Sequence, residues 1–143
     1  MKVEELEPAL EAGPSSWVEV SQARIDEFAR VTGDLQSIHV DPEMAAAGPF
    51  GTTVAHGLLT LSLVPAATYE VLPIEGVTIV NYGLNRVRFP SPVPAGSRVR
   101  VSFRVESVEP VAGGVQAVLG AVVELDGGAK PACVAELVLR CLG

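Results

Sequence analysis

The chain has 143 residues, 48 % of them hydrophobic and 19 % charged, with a net charge of -7. That length suits one buried core and is short for two, and the acidic balance disfavours a protein that grips nucleic-acid phosphates, which requires a basic surface. Aromatic residues are just 5 % of the chain, so packing falls to Val, Leu and Ala.

Met1 to Ser15 is acidic and lacks the basic-then-apolar order of a secretory signal, so a cytoplasmic protein is expected. Ser21 is suited to cap a helix beginning at Gln22, with Ile25, Phe28, Ala29 and Val31 as its apolar stripe and Gly33 closing it in a left-handed turn. Asp34 to His39 then reads as loop. Asp41-Pro42-Glu43 reads as a second helix start, with Asp41 as cap and Pro42 preset at the first helical position; Gly48-Pro49 ends it.

From Thr53 to Tyr69 the residues are almost uniformly apolar or small, the pattern of a helix buried on most sides. Pro65 predicts a kink in it or an earlier end. His56, Gly57, Thr60, Ser62 and Pro65 also make this run poor material for crossing a bilayer, so no membrane partner is expected. After Pro73 the period becomes two, with strands predicted over Gly76 to Phe89, Arg98 to Glu109, Val115 to Leu125 and Ala132 to Cys141. Val99, Val101, Phe103 and Val105 share one face of the second strand, and Val115, Ala117, Leu119, Ala121 and Val123 one face of the third. Helices followed by a run of strands imply an α+β fold: one antiparallel sheet whose apolar face curls around the buried helix.

Cys133 and Cys141 fall in one strand, roughly 26 Å apart along an extended backbone, so they cannot bridge. Their even spacing places them on the face of Ala135, Leu137 and Leu139, which favours packing over reactivity.

Two short segments concentrate the chemistry: Thr32-Gly33-Asp34 to His39-Val40-Asp41, and Phe50-Gly51 to Ala55-His56-Gly57. Taken alone, an Asp and a His five apart also suit a turn residue and a surface imidazole. Asp34, His39, Asp41 and His56 are acceptable zinc ligands in kind, but there is no Cys pair and no His-Glu-x-x-His spacing, so neither metal nor other cofactor is expected. A Gly-x-Ser-x-Gly elbow is absent too, which disfavours a serine hydrolase.

Together the two segments resemble the MaoC-like, (R)-specific enoyl-CoA hydratase family, whose fold is the hot dog. Asn81-Tyr82-Gly83-Leu84-Asn85-Arg86-Val87-Arg88-Phe89-Pro90-Ser91-Pro92-Val93-Pro94 is similar to the actinobacterial (3R)-hydroxyacyl dehydratases of that family. The resemblance runs over roughly residues 20 to 105, and Gln36-Ser37 stands where the family usually has Asn-Pro. It implies a single hot-dog domain over residues 1–143, a homodimer, and a substrate presented as an acyl-CoA or acyl-carrier-protein thioester. It further implies reversible hydration of a trans-2-enoyl thioester to the (3R)-hydroxyacyl thioester, with Asp34 and His39 as the pair that binds and activates water. The Gly57 amide would receive negative charge on the thioester oxygen, since a helix's first amides lack partners and carry positive dipole.

Asp34 would gain strength as a base from partial burial. His56 is expected to cap or pack at the helix start, and Asp41 to act as a cap. Asn81, Tyr82, Asn85, Arg86 and Arg88 are candidates to bind the substrate. Half of the Lys and Arg residues fall between Arg86 and Arg104, a patch that would attract phosphates or else form a solvated sheet face. Two competing readings are a hot-dog thioesterase that directs water at the carbonyl carbon, and a noncatalytic acyl-thioester-binding subunit.

Overall fold

A computed structural model describes residues 1–143. The N-terminal part holds a 3-10 turn (Val3–Glu5), two short strands, β1 (Glu11–Ala12) and β2 (Val18–Val20), and then helix α1 (Gln22–Thr32). Ser21 caps α1 by accepting from the Arg24 amide at 3.1 Å, and Gly33 ends it at φ 82°, a conformation glycine adopts without steric penalty. Within the helix Ile25 and Ala29 are buried, whereas Val31, expected on the inner stripe, is 73 % exposed. It lies on the opposite side of the last turn, where the helix has already left the core.

The segment expected to be loop contains a single helical turn, α2 (Ser37–Val40), followed by α3 (Pro42–Ala46). Asp41 caps α3 through the Met44 amide at 3.1 Å, with Pro42 in the first turn as its sequence position requires. The central apolar run begins its helix at Gly57 rather than Thr53. Thr53 and Ala55 instead pair with the chain ahead of the second long strand: the Ala55 amide donates to Val93 O and the Ala95 amide to Thr53 O. The helix then comes in two pieces, α4 (Gly57–Ser62) and α5 (Val64–Val71), joined at Leu63. Pro65 explains the break, because it has no amide to reach back one turn and its ring crowds the carbonyl there; it sits in the first turn of α5, where neither matters.

Four long strands follow, β3 (Thr78–Arg88), β4 (Ser97–Val111), β5 (Gly114–Leu125) and β6 (Cys133–Leu142). All pairings between strands are antiparallel, in the order β1-β4-β5-β6-β3, with β2 also on β4. The alternation read from the sequence is realised: Val99, Val101, Phe103 and Val105 of β4 are buried with Ala117, Leu119, Ala121 and Val123 of β5. They join Ile25 of α1 and Leu59, Val64 and Ala67 of the central helices in one cluster of 23 buried residues. Burying each such Val or Leu contributes about 1.5–3 kcal/mol. Cys133 and Cys141 belong to that cluster as free thiols, and burial pushes Cys133 up to about 11 and raises Cys141 in the same direction.

The sheet's two edges differ. β4 is covered on its outer side by β1 and β2, while β3 has β6 on one side and nothing on the other. The register of β3 on β6 shifts between Asn81 and Gly83 and again between Leu84 and Val87, and Val80, Tyr82 and Leu84 are exposed along it.

Candidate active site

The chain reaches the site by a tight exit from α1. Thr32 donates its hydroxyl to Phe28 O at 2.7 Å and accepts weakly from the Asp34 amide at 3.4 Å, so the residue after Gly33 is held close to the helix end. The turn of α2 then swings His39 inward. Its ring is buried, and Nδ1 lies 2.7 Å from Val54 O. A carbonyl can only accept, so Nδ1 carries the proton and Nε2 keeps its lone pair in the neutral ring. The backbone around it is pinned as well: the Val54 amide donates to Ile38 O at 3.0 Å, and Gln22 Nε2 donates to His39 O at 2.8 Å.

His56 is the residue immediately before α4 and is 2 % exposed. Its ring does not cap that helix; it packs, stacked on His39 with centroids 3.8 Å apart and tilted against Phe28 at 4.9 Å. Nε2 lies 2.9 Å from the main-chain oxygen of Asp34, while Nδ1 is buried with no partner. Of the two roles expected for His56, packing is realised and side-chain capping is not.

Asp34 itself is exposed, so the partial burial expected of its carboxylate is not provided by this chain. A carboxylate oxygen of Asp34 and one ring nitrogen each of His39 and His56 lie within 4.8 Å of one another. Each imidazole has one nitrogen engaged by a backbone carbonyl and one that is not, and the rings stack with 25° between their planes.

Beside His39 opens a cavity of about 390 Å³, lined among others by Ile38, Gly57, Thr60, Phe89 and Val93. The amide of Gly57 is the first of α4 and has no carbonyl one turn behind it within the helix. A side chain at this position would collide with the wall: a Cβ on Gly57 would stand 2.9 Å from the Phe89 ring. Thr60 and Phe89 were not singled out from the sequence. The signal available for Thr60 was a hydroxyl four residues after His56 in a largely apolar helix; its Oγ1 is buried without a partner.

The five candidates for substrate binding disperse. Asn81 lines a separate hollow of about 320 Å³ with Leu61, Pro65, Leu84 and Leu137. Tyr82 lies under the Arg140 guanidinium at 3.7 Å, and Asn85 donates to Glu136 at 3.3 Å. Arg86 and Arg88 are exposed, Arg88 turning back to Val87 O at 2.7 Å, and none of the five lines the cavity beside His39. Three of the five arginines of the larger patch are paired with carboxylates. Arg98 pairs with Asp126, Arg100 with Glu124 and Arg104 with Glu11, at 2.5, 2.7 and 3.2 Å. Arg98 and Arg100 also cover the Trp17 ring. Antiparallel register supplies these partners, since Arg100 stands directly across from Glu124.

Residues 6–125 match the family described as the MaoC like domain. The chain is 54 % identical over 130 residues to the 3-hydroxyacyl-thioester dehydratase Z of Mycobacterium tuberculosis, an alignment covering 90 % of this chain and 86 % of that one. Among solved structures, the (R)-hydratase from A. caviae involved in PHA biosynthesis superposes with a TM-score of 0.79 at 26 % identity, covering 96 % of this chain and 98 % of that one. The unliganded R-hydratase PhaJ1 from Pseudomonas aeruginosa gives the same TM-score at 27 % identity, with 99 % and 85 % covered.

Proposed function

The chain belongs to the MaoC-like dehydratase family, and from that membership we propose that it is a hydro-lyase interconverting trans-2-enoyl and (3R)-3-hydroxyacyl thioesters. The observation that carries this reading is the fixed tautomer of His39: with Nδ1 committed to Val54 O, Nε2 is the nitrogen that keeps a lone pair, on a residue that lines the cavity and clusters with the Asp34 carboxylate.

In the hydration direction a water shared by the Asp34 carboxylate and His39 Nε2 gives up a proton as its oxygen bonds to Cβ. The π electrons move to the thioester oxygen, and the Gly57 amide stabilises that charge. A proton then reaches Cα, which restores the thioester and completes the addition of one water. Dehydration runs the same steps backwards. The cavity volume supports a small reactive portion of substrate at His39, with the Phe89 ring against the glycine that carries the donor.

The family resemblance also points to a homodimer, and the unpaired edge β3 supports it, because Val80, Tyr82 and Leu84 are exposed along a strand with free backbone groups. A single folded unit over residues 1–143 is supported by the one continuous core. Loss of enoyl-thioester ultraviolet absorbance on adding purified protein tests the proposal. Unchanged absorbance across short and medium acyl chains refutes it, and release of free thiol from saturated acyl-CoA would point to a thioesterase instead.

A further inference from the structure

We propose that His56 is a positioning residue for this reaction, a buried imidazole that ties the Asp34 segment and the His39 ring to the start of α4. The inference rests on the functional reading above. His56 does not line the cavity, whereas its chain neighbour Gly57 and its stacking partner His39 both do. Any effect on the chemistry must therefore pass through those two or through Asp34.

Three contacts define the role. The Nε2–H donates to the main-chain oxygen of Asp34 at 2.9 Å, fixing the backbone from which the exposed carboxylate extends. The ring face lies on His39 at 3.8 Å, so His39 cannot tilt toward the core and its Nε2 keeps one direction. The ring also meets Phe28 of α1, tilted at 4.9 Å, on the helix whose end launches Asp34. Without His56, Asp34 would hang from α1 by the weak 3.4 Å contact to Thr32 alone. The opposed tautomers of the two rings follow from the same geometry: His39 is protonated on Nδ1 and His56 on Nε2, each dictated by a carbonyl. With its proton on Nε2, His56 keeps a bare Nδ1 that has no protein partner.

Two substitutions separate the hydrogen bond from the stack. His56→Phe keeps an aromatic face for His39 and Phe28 but has no donor; His56→Gln keeps a donor at nearly the same reach and loses the ring. Enoyl-thioester hydration by the full chain is expected to show kcat down about 100-fold in His56→Phe, the effect of a displacement near 1 Å, with KM within about threefold of the unsubstituted protein. His56→Gln is expected to recover about tenfold of that loss. Equal kcat in all three proteins overturns the proposal, as does a change confined to KM.

The tautomers are read independently of activity and of any substitution, from imidazole nitrogen shifts of the uniformly labelled protein. A protonated Nε2 on His56 and a protonated Nδ1 on His39 are expected; a protonated Nδ1 on His56 overturns the proposal, since Nε2 could not then donate. Absence of hydration by the unsubstituted protein would instead remove the functional reading while leaving the tautomer result intact.

Discussion

Replacing Gly57 with alanine adds a single methyl group at the point where the helix start meets the cavity wall. Its carbon would lie 2.9, 3.0 and 3.1 Å from three atoms of the Phe89 ring. Carbon atoms in contact sit at about 3.5–4.0 Å, so the ring must retreat by roughly 0.5–1 Å. Overpacking of this kind typically costs about 1–3 kcal/mol. Phe89 is 42 % exposed and has room to yield, which puts the expected destabilisation near the lower end, about 1 kcal/mol, or a fall of about 3–6 °C in Tm. The larger consequence is catalytic. The retreating ring is itself part of the cavity beside the proposed oxyanion donor, and a misplacement near 1 Å is expected to lower kcat/KM about 100-fold. Thermal melts and enoyl-thioester absorbance measure the two effects separately. A second variant, Gly57→Ala with Phe89→Ala, removes the collision and should recover part of the lost stability, so that the two changes are non-additive. Wild-type kcat/KM in Gly57→Ala, or strict additivity in the pair, would refute the reasoning.

Other outcomes follow from single features. Thr60→Val is close to isosteric and removes a buried hydroxyl without a protein partner, so stability should hold or rise; KM should increase about 2- to 10-fold if substrate supplies the missing partner, as expected for one hydrogen bond. Unchanged KM would remove Thr60 from the substrate path. The folded state holds Cys133 protonated up to about 11, whereas an unfolded thiol ionises near 8.5; its contribution to stability is therefore full below about pH 8.5 and declines as pH rises toward 11. The urea midpoint should be lower at pH 10.5 than at pH 8, and a higher one would contradict this assignment. Arg100→Gln breaks a surface ion pair and should leave the urea midpoint nearly unchanged, with KM within about twofold. A large rise in KM would restore the arginine face as a phosphate contact.

Much of the architecture is written locally in the sequence. Ser21 and Gly33 bracket α1 because their side-chain and backbone preferences act within a few residues, and the period-two burial of Val99 to Val105 is a property of β4 by itself. The break at Leu63 was legible in Pro65 for the same reason. The proposed site was legible as a pair of motifs: His39 clusters with Asp34 on one side and lines a cavity with Gly57 on the other. What sequence could not disclose depends on contacts between distant segments. The stack of His39 on His56 joins residues 17 positions apart, and the hydrogen bond from His56 to Asp34 joins residues 22 apart. The arginine face read as a candidate phosphate patch because its carboxylate partners arrive from other strands, through a register that no local pattern encodes. The turn of α2 was missed because four residues are too few for a periodic signal.

The central claim is that the Asp34 carboxylate and the His39 imidazole act together on one water. It is tested most directly by following trans-2-enoyl-CoA hydration, with chiral analysis of the product, in the unsubstituted protein, Asp34→Asn and His39→Gln. The unsubstituted protein is expected to yield (3R)-3-hydroxyacyl-CoA and each variant to lose about 100- to 10,000-fold in kcat, the range for a positioned proton-transfer group, with far-UV circular dichroism unchanged. Hydration surviving in both variants at close to the original rate would contradict that claim.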